Sequence, residues 1–408
     1  MKLNVSSEIG RLQGVIVHTP GREVSLVNPE LKDELLFDDI VFEEDARREH
    51  LDMLDIFRAA MSADGQIFEI TDLIRDCFQM DQQEARAFFV EQLIKRYPQG
   101  NLHTVKKELL TLPPDELLRF AIEGTTAKRN FILNPTPNLL FTRDLAAVVN
   151  NNVLLSRPAK VARIREFLLM EILVRYHPLL AGLQPNILTI AEQETIEGGD
   201  VLVASKDLTL IGMSERTSFS GLMTAAEGLL SNGVKTVLAV DIPKQRSSMH
   251  LDTIFTFASR DECLVFPPAI TEREKNVVRL SNENGAVNAE VMPSLKQALE
   301  ECMEHSFTFI NCGGESRTNQ FREQWTDGAN VFALAPGVIV GYERNTNTFN
   351  ALKEHGYEVI NQFNFIEEYQ DSPFEPGSKK IAIGFEGNEL CRGRGGARCM
   401  TLPISRES

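Results

Sequence analysis

The sequence has little that would tie it to a membrane, an oxidising compartment or nucleic acid. Its 408 residues include only six cysteines, and no two form a CxxC pair, which argues against a disulfide scaffold. No apolar run approaches the ~18 residues of a membrane helix, and residues 1–10 show no signal-peptide pattern. Acidic residues outnumber basic ones by 58 to 42, and the net charge of −16 repels nucleic acid and anionic membranes.

We therefore expect a cytoplasmic protein with neither a nucleic-acid partner nor a membrane partner. The seven histidines are scattered, and no cysteine and histidine spacing suits zinc, so no metal and no cofactor are expected. Hydrophobic residues make up 43% of the chain, a share typical of globular proteins with a substantial core.

Five stretches of the chain repeat one order of elements. Each has an apolar strand, a turn rich in Asn, Asp, Gly or Pro, usually a second strand, and then a helical pattern. The first covers residues 14–21, and the others start near Asp144, Asp200, Asp252 and Asn330. This repetition predicts an α/β fold in which ββαβ-type units pack like propeller blades around an axis. An ordinary mixed sheet with several hairpins is the alternative.

Residues 72–126 interrupt that order. They show helical spacing of apolar residues with charges between them, and Pro113-Pro114-Asp115 is typical of a helix start. We predict a small helical insertion at residues 72–126, within a propeller domain formed by residues 1–71 and 127–408.

Polar residues stand where the predicted hairpins begin, and they include Asp144, Glu197, Asp200, His250 and Asp252. If the units surround an axis, one set of strand ends converges, and these side chains would form a site. Each also has a plain structural interpretation. A strand-edge Asp can accept from a turn N–H, a single His can be structural, and Glu-Gly-Gly-Asp can be a tight turn that needs positive φ.

The segment near the C-terminus carries a candidate nucleophile. Glycines and arginines alternate before Cys399, so the backbone can approach a ligand closely. We expect Arg394 and Arg398 to lower the pKa of the Cys399 thiol and to favour the thiolate. The alternatives are an exposed basic tail and an RNA-binding segment; the run is too short, lacks aromatics and lies in too acidic a protein for the latter.

Taken together, these motifs resemble the arginine deiminase family, and the resemblance spans the whole chain in order. It implies a five-bladed, pseudo-symmetric α/β propeller of the pentein superfamily, with the propeller domain catalytic. The implied activity is hydrolysis of free L-arginine to L-citrulline and ammonia. Leu145 and Ala397 depart from the prolines common in that family. The motifs are residues 138–144 (NLLFTRD), 196–200 (IEGGD), 216–218 (RTS), 249–253 (MHLDT), 393–400 (GRGGARCM), 35–40 (LLFDDI) and 322–328 (REQWTDG).

The resemblance also implies roles for the catalytic residues. Asp144 and Asp252 would grip the substrate guanidinium, since carboxylates pair with guanidinium groups through charge-assisted hydrogen bonds. Cys399 would attack it and form a covalent amidino-cysteine. His250 would act as general acid and then base, and Glu197 would orient it.

Five further residues would bind the substrate. Agmatine lacks the substrate carboxylate, so residues that recognise this group set the specificity. In the family two arginines and an asparagine do so, an apolar side chain packs on the substrate stem, and an arginine lies on the loop that gates the site. By this resemblance, Arg163, Arg216 and Asn138 would recognise the carboxylate. Phe141 would pack on the substrate stem, and Arg394 would lie on the gating loop.

Other interpretations stay open at this point. An amidinotransferase, a dihydrolase that makes ornithine, or a deiminase of a modified arginine would use the same nucleophile. A non-catalytic arginine-binding propeller would be expected to lack Cys399 or His250, and both are present. The expected partner is the small-molecule substrate L-arginine, and a homo-oligomer is allowed.

Overall fold

Short strands and helices alternate along the chain in the computed structural model, which describes residues 2–79, 81–97, 102–126, 132–283, 285–369, 374–377 and 379–407. The strands are β1 (Leu12–Val17), β2 (Gln66–Glu69), β3 (Ala146–Val149), β4 (Asn152–Leu155), β5 (Asn186–Leu188), β6 (Val201–Ser205), β7 (Leu208–Met213), β8 (Thr236–Asp241), β9 (Phe255–Phe257), β10 (Glu262–Val265), β11 (Val277–Glu283), β12 (Ala286–Met292), β13 (Thr308–Asn311), β14 (Phe332–Ala335), β15 (Val338–Tyr342), β16 (Tyr357–Asn361), β17 (Lys380–Phe385) and β18 (Leu402–Arg406). The helices are α1 (Arg22–Ser25), α2 (Glu43–Ala60), α3 (Ile70–Cys77), α4 (Gln83–Arg96), α5 (Leu102–Thr111), α6 (Pro114–Glu123), α7 (Ile164–Tyr176), α8 (Pro178–Ala181), α9 (Phe219–Ser231), α10 (Leu295–Met303), α11 (Arg317–Trp325), α12 (Thr346–Glu354) and α13 (Gln362–Tyr369).

The described strands form five sheets, as many as the repeated stretches of the sequence. The hairpins β3–β4, β6–β7, β9–β10 and β14–β15 are antiparallel. After a helix, β5, β8, β13 and β17 each return parallel to the second strand of the hairpin. The fold is therefore a mixed α/β fold. The arrangement of the five sheets around one axis stays a prediction.

The first sheet is assembled from both ends of the chain. Strand β1 pairs antiparallel with β18 and parallel with β2. Local turn signals cannot reveal the β1–β18 pair, because its strands are far apart in sequence. A hairpin of β11 and β12, also not predicted, joins the third sheet through β8. Its outer strand, β12, is largely exposed.

Four helices, α3 to α6, cover most of the region that interrupts the repeats. Their apolar side chains belong to the same hydrophobic cluster as those of α7 and β3; Phe89, Phe120 and Leu169 are examples. The division into a propeller domain and an insertion stays a prediction. Among the described helices, none combines the length and the apolar character needed to cross a membrane.

Single 3-10 turns stand in front of the strands that begin three of the hairpins. The turns Thr142–Leu145, Gly198–Asp200 and Leu251–Thr253 precede β3, β6 and β9, and each of them touches the next. A further turn, Leu390–Gly393, lies ahead of β18. The starts of successive units therefore lie side by side, and their side chains share one region.

A buried glutamate of α2 holds the turn that leads toward Cys399. The carboxylate of Glu49 accepts hydrogen bonds from the backbone N–H groups of Asn388, Glu389 and Leu390 at 3.0–3.2 Å. Glu49 is 2% exposed, and of its three donor residues Leu390 is buried as well. This contact ties an N-terminal helix to the segment just before Arg394.

We expect Glu49→Ala to lower the free energy of unfolding by about 1–3 kcal/mol, because it removes the acceptor of three backbone N–H groups, of which that of the buried Leu390 is left without a partner. Chemical denaturation of the parent and the variant measures this difference. The exposed Glu44 of the same helix supplies the control, and Glu44→Ala should cost about 0.5 kcal/mol or less. Equal losses in the two variants would contradict the anchoring role.

Candidate active site

The structure brings together five side chains predicted to be catalytic. All are buried, at 0–4% exposure, although they come from widely separated parts of the chain. The carboxylates and the histidine lie in or next to the 3-10 turns that start the units, and the cysteine lies just before β18. The five residues are Asp144, Glu197, His250, Asp252 and Cys399.

His250 lies between two carboxylates. Its Nε2 is 2.8 Å from Glu197 Oε2, and its Nδ1 is 3.5 Å from Asp144 Oδ1. Burial disfavours the imidazolium, but the charge of Asp144 and the hydrogen bond with Glu197 outweigh it and raise the pKa of His250 to about 9. At neutral pH His250 is therefore protonated and can donate a proton.

Glu197 stays ionised in spite of its burial. Desolvation opposes its charge, but the positive charges of Arg216, His250 and Arg163 hold its pKa at about 2. The N–H of Ala159 also donates to its Oε1 at 3.2 Å. Glu197 is thus fixed as an acceptor for the imidazolium.

The glycines beside Glu197 are there because space is short. A Cβ on Gly199 would lie 2.7 Å from His250 Nδ1 and 2.9 Å from Asp144 Oδ1. Neither Gly198 nor Gly199 has a positive φ, so the alternative of a turn that needs positive φ was wrong. The motif lets the backbone pass close to the reactive groups.

Cys399 faces Asp252. Its thiol donates to Asp252 Oδ2 over 3.7 Å, and its backbone N–H donates to Asn330 Oδ1 at 3.0 Å. Burial, with the charges of Asp252 and Asp144, raises the pKa of this thiol well above its ordinary value.

The expectation that Arg394 and Arg398 lower the thiol pKa was therefore wrong. The Arg398 guanidinium turns away from the sulfur, toward Glu8 and Asp252. That of Arg394 donates to the carbonyl of Trp325 at 2.6 Å. Both positive charges are already paired with other groups.

Two buried carboxylates each keep one oxygen without a hydrogen-bond partner among the described residues: Oδ1 of Asp144 and Oδ1 of Asp252. The other oxygen of each is held by an arginine. Arg163 binds Oδ2 of Asp144, and Arg398 donates to Oδ2 of Asp252 at 2.7 Å. A buried acceptor without a donor is costly, and two of them beside a nucleophile suit a ligand rich in N–H donors.

The three side chains predicted to bind the substrate carboxylate differ in their present contacts. Arg163 also donates to Glu166 at 2.8 Å and to the carbonyl of Asn138 at 3.0 Å. Asn138 Nδ2 donates to Leu35 O at 2.8 Å. Arg216 lies 3.7 Å from Glu197, and its Nε is buried without a hydrogen-bond acceptor in the described structure. Of the three, Arg216 is therefore the most available to an added carboxylate.

Phe141 and Arg394 also line the cavity beside Cys399. Gly395 is required next to them, because a Cβ there would lie 2.4 Å from the ring of Phe141. The guanidinium of Arg394 stacks on Trp325, 3.8 Å from the ring centroid, and its backbone has φ +66°. The cavity is narrow, about 20 Å³, and its lining includes ten residues besides Phe141, Arg394 and Cys399: Leu36, Asn138, Asp144, Arg163, Arg216, Arg246, Met249, His250, Thr253 and Gly393.

Asp200, which also stands at a hairpin start, has a different role. Its carboxylate accepts from the hydroxyls of Ser214 and Thr217 at 2.6 Å and from the N–H of Leu251 at 2.8 Å. It therefore ties β6 to the turn after His250. The sequence analysis did not assign roles to Asn330 or Glu8, although Asn330 marked a hairpin start.

Asp144, Glu197 and His250 could also offer atoms to a metal ion, since one ligand atom from each lies within 4.8 Å of the others. The Arg163 guanidinium, however, binds Asp144 and lies 3.6 Å from Glu197. These carboxylates are thus already bound by a guanidinium group rather than arranged around an open metal position. The residues present suit a guanidinium better than a metal ion.

Solved structures share the fold of this chain. A dimethylarginine dimethylaminohydrolase matches 96% of this chain and 99% of its own, with a TM-score of 0.52 and 15% identity. An amidinotransferase from Microseira wollei matches 100% of this chain and 98% of its own, with a TM-score of 0.56 and 13% identity. The chain therefore has the mixed α/β fold of these two structures.

The family follows from sequence comparison. The family model described as arginine deiminase matches residues 104–406. An arginine deiminase of Listeria monocytogenes is 32% identical over 100% of this chain and 98% of its own. One of Bacillus thuringiensis is 34% identical over 99% and 98%. The chain belongs to the arginine deiminase family.

The charge on His250 can be measured directly by NMR titration of its imidazole. We expect the parent protein to titrate near pH 9, above the ordinary value of about 6.5. Glu197→Gln should lower the pKa of His250 by at least about 1, because an anion that stabilises the imidazolium is lost. Glu215→Gln, which changes a partly exposed carboxylate, should leave it unchanged. An unchanged titration in Glu197→Gln would rule out this coupling.

Proposed function

We propose that this protein hydrolyses free L-arginine to L-citrulline and ammonia through a covalent amidino-cysteine on Cys399. The observation that carries the proposal is the pair of unpartnered carboxylate oxygens, Asp144 Oδ1 and Asp252 Oδ1, buried beside the nucleophile. A guanidinium is planar and cationic and has N–H donors on both sides, so it can satisfy two such acceptors at once.

Arg163 supports the choice of ligand. Its guanidinium already binds Asp144, within reach of Glu197, which indicates that these carboxylates accept a guanidinium group. Substrate binding would exchange one guanidinium for another at Asp144. Arg163 would then be free to turn toward the substrate carboxylate, together with Arg216 and Asn138.

The first chemical step is attack of the Cys399 sulfur on the guanidinium carbon. Burial and the aspartates disfavour the thiolate, and a cationic substrate held between those aspartates offsets this effect. The thiol releases its proton to bulk water as the cationic substrate binds, and the S–C bond forms at the guanidinium carbon. His250 then gives its proton to one NH2 group, and the C–N bond to that group breaks. Loss of ammonia leaves the amidino group on the sulfur.

The second step releases the product. His250, now neutral, removes a proton from water, and the hydroxide attacks the amidino carbon. The S–C bond breaks, the proton of the new hydroxyl group passes to the departing sulfur and restores the thiol, and the former guanidinium carbon keeps a carbonyl oxygen. Glu197 holds the imidazole in place through both steps and stabilises its charged form, since it is ionised and 2.8 Å away.

Entry of arginine requires movement, because the cavity of about 20 Å³ has room for about one water. Arg394 and Leu36 both line it, and both have positive φ, at +66° and +65°. We place the opening there, with Phe141 packing on the apolar stem of the substrate.

The wider setting of the site is also part of the proposal. The contacts between successive 3-10 turns support an arrangement of the five sheets around one axis, with the site at one end. We place the enzyme in the cytoplasm, with L-arginine as its small-molecule partner.

The nucleophile can be tested against the other buried cysteines. We expect Cys399→Ala to abolish release of citrulline and ammonia, because no other group can carry the amidino intermediate. Cys312→Ala and Cys391→Ala should keep most of the activity, since these equally buried thiols lie outside the site. Mass spectrometry of the products separates citrulline from ornithine. Full turnover by Cys399→Ala, or ornithine as product, would overturn the proposal.

Recognition of the substrate carboxylate predicts a preference for arginine over agmatine. Arg216→Ala should reduce kcat/KM for arginine about 10- to 150-fold more than that for agmatine, because the loss of one charge-assisted contact affects arginine alone, whereas the lost charge beside Glu197 affects both substrates. Ammonia release from the two substrates measures both constants. Lys160→Ala, which removes a nearby exposed charge, is the control. If the parent uses both substrates equally, Arg216 does not have this role.

A further inference from the structure

A buried line of charged side chains runs from the N-terminal segment to the nucleophile. Arg398 is 1% exposed, and its Nε and Nη2 both donate to the carboxylate of Glu8 at 3.0 Å. Its Nη1 donates to Asp252 Oδ2 at 2.7 Å. The same oxygen accepts a hydrogen bond from the Cys399 thiol over 3.7 Å. Glu8 therefore reaches the nucleophile through two side chains.

The charges along this line are unequal in number. Three buried arginines, Arg143, Arg398 and Arg406, surround two carboxylates, Glu8 and Asp252. The charge of Arg398 is thereby shared between two anions. Without Glu8, that guanidinium would have Asp252 as its only anionic partner among the described residues.

Glu8 also forms part of a second surface. It lines a cavity of about 1560 Å³ that also includes Ser7, Gly10 and Phe257 and does not include Cys399. Small solutes can therefore approach Glu8 without passing the catalytic groups. This separation allows its charge to be replaced without disturbing the site itself.

We propose that Glu8 is a positioning residue for catalysis, which acts through Arg398 to keep Oδ1 of Asp252 free for the substrate guanidinium. With Glu8 ionised, Arg398 takes a single oxygen of Asp252. With Glu8 neutral, the guanidinium of Arg398 turns so that its N–H groups bind both oxygens of Asp252. It then competes with the substrate guanidinium for Oδ1. This inference rests on the proposed function, in which Asp252 grips the guanidinium.

Two effects follow from loss of the Glu8 charge. The KM for arginine rises, because the substrate must displace Arg398 from Asp252. The thiol of Cys399 ionises at lower pH, because one negative charge is removed from its surroundings. The other charged groups that act on this thiol are Asp252, Asp144 and Asp327, which disfavour the thiolate, and Arg394, which favours it.

The experiment compares Glu8→Gln with Glu262→Gln. Glu262 is a buried glutamate that pairs with Lys380 at 2.7 Å and Tyr357 at 3.0 Å, away from the site. We expect Glu8→Gln to reduce kcat/KM for arginine about 10- to 100-fold, mainly through KM. We also expect the pH midpoint of iodoacetamide alkylation at Cys399 to move to lower pH. Glu262→Gln should change neither quantity in its folded fraction.

Chemical rescue provides an independent readout. In Glu8→Ala, formate should enter from the large cavity and restore part of the lost activity, whereas chloride at the same ionic strength should not. A purely structural role predicts lower thermal stability with unchanged KM, an unchanged alkylation midpoint and no rescue, and that result would overturn the inference. If the parent enzyme is alkylated at Cys399 but does not hydrolyse arginine, the proposed function is refuted instead. The alkylation midpoints of the parent and of Glu8→Gln would still test the role of Glu8.

Discussion

Burial of charge is the constraint on which this structure depends. Near Cys399 the protein holds aspartates, glutamates and arginines almost entirely away from water. Removing one partner of a buried pair leaves a charge that costs several kcal/mol. The local fold around the site must therefore satisfy a fixed set of ion pairs, and Arg398, with its contacts to Glu8 and Asp252, is the centre of that set.

The need for paired charges explains why the site draws on so many parts of the chain. The charge pairs around Arg398 join segments that are far apart in sequence. Glu8 precedes the first strand, Asp252 precedes the hairpin β9–β10, and Arg398 lies near the C-terminus. Glycines next to Glu197 and before Cys399 also allow these segments to pack closely. Gly199 and Gly395 leave out the Cβ atoms that would push His250 and Phe141 from their positions.

Much of the fold could be predicted because its signals are local. The hairpins at Asp144, Asp200, Asp252 and Asn330 each join strands through a short polar turn, and helices α7, α9, α10 and α12 follow where apolar spacing indicates them. The β1–β18 pair was missed because it joins distant segments. The β11–β12 hairpin was missed although Val287, Ala289 and Val291 alternate with polar residues, because it lies between β10 and α10 as an addition to the repeated order of elements.

In the candidate site, the identity of the residues could be predicted from the sequence, but their ion-pair partners could not. Motifs identified which residues would meet, since side chains at strand starts converge. They could not show which charge each arginine would satisfy. Nearness in sequence led to the expectation that Arg398 lowers the pKa of the adjacent thiol, but its side chain extends to Glu8 and Asp252 instead. The pairing of a long, flexible guanidinium is set by tertiary contacts.

These pairings have a consequence for selectivity in the proposed reaction. The thiol of Cys399 is disfavoured as thiolate by burial and by the two aspartates that would bind the substrate. A cation placed between those aspartates offsets the part of that penalty that comes from their charges, and a neutral ligand of the same shape does not. The group that the site recognises is thus also the group that activates the nucleophile. Binding and reactivity are coupled by one charge, so the buried thiol stays largely protonated until a guanidinium is in place.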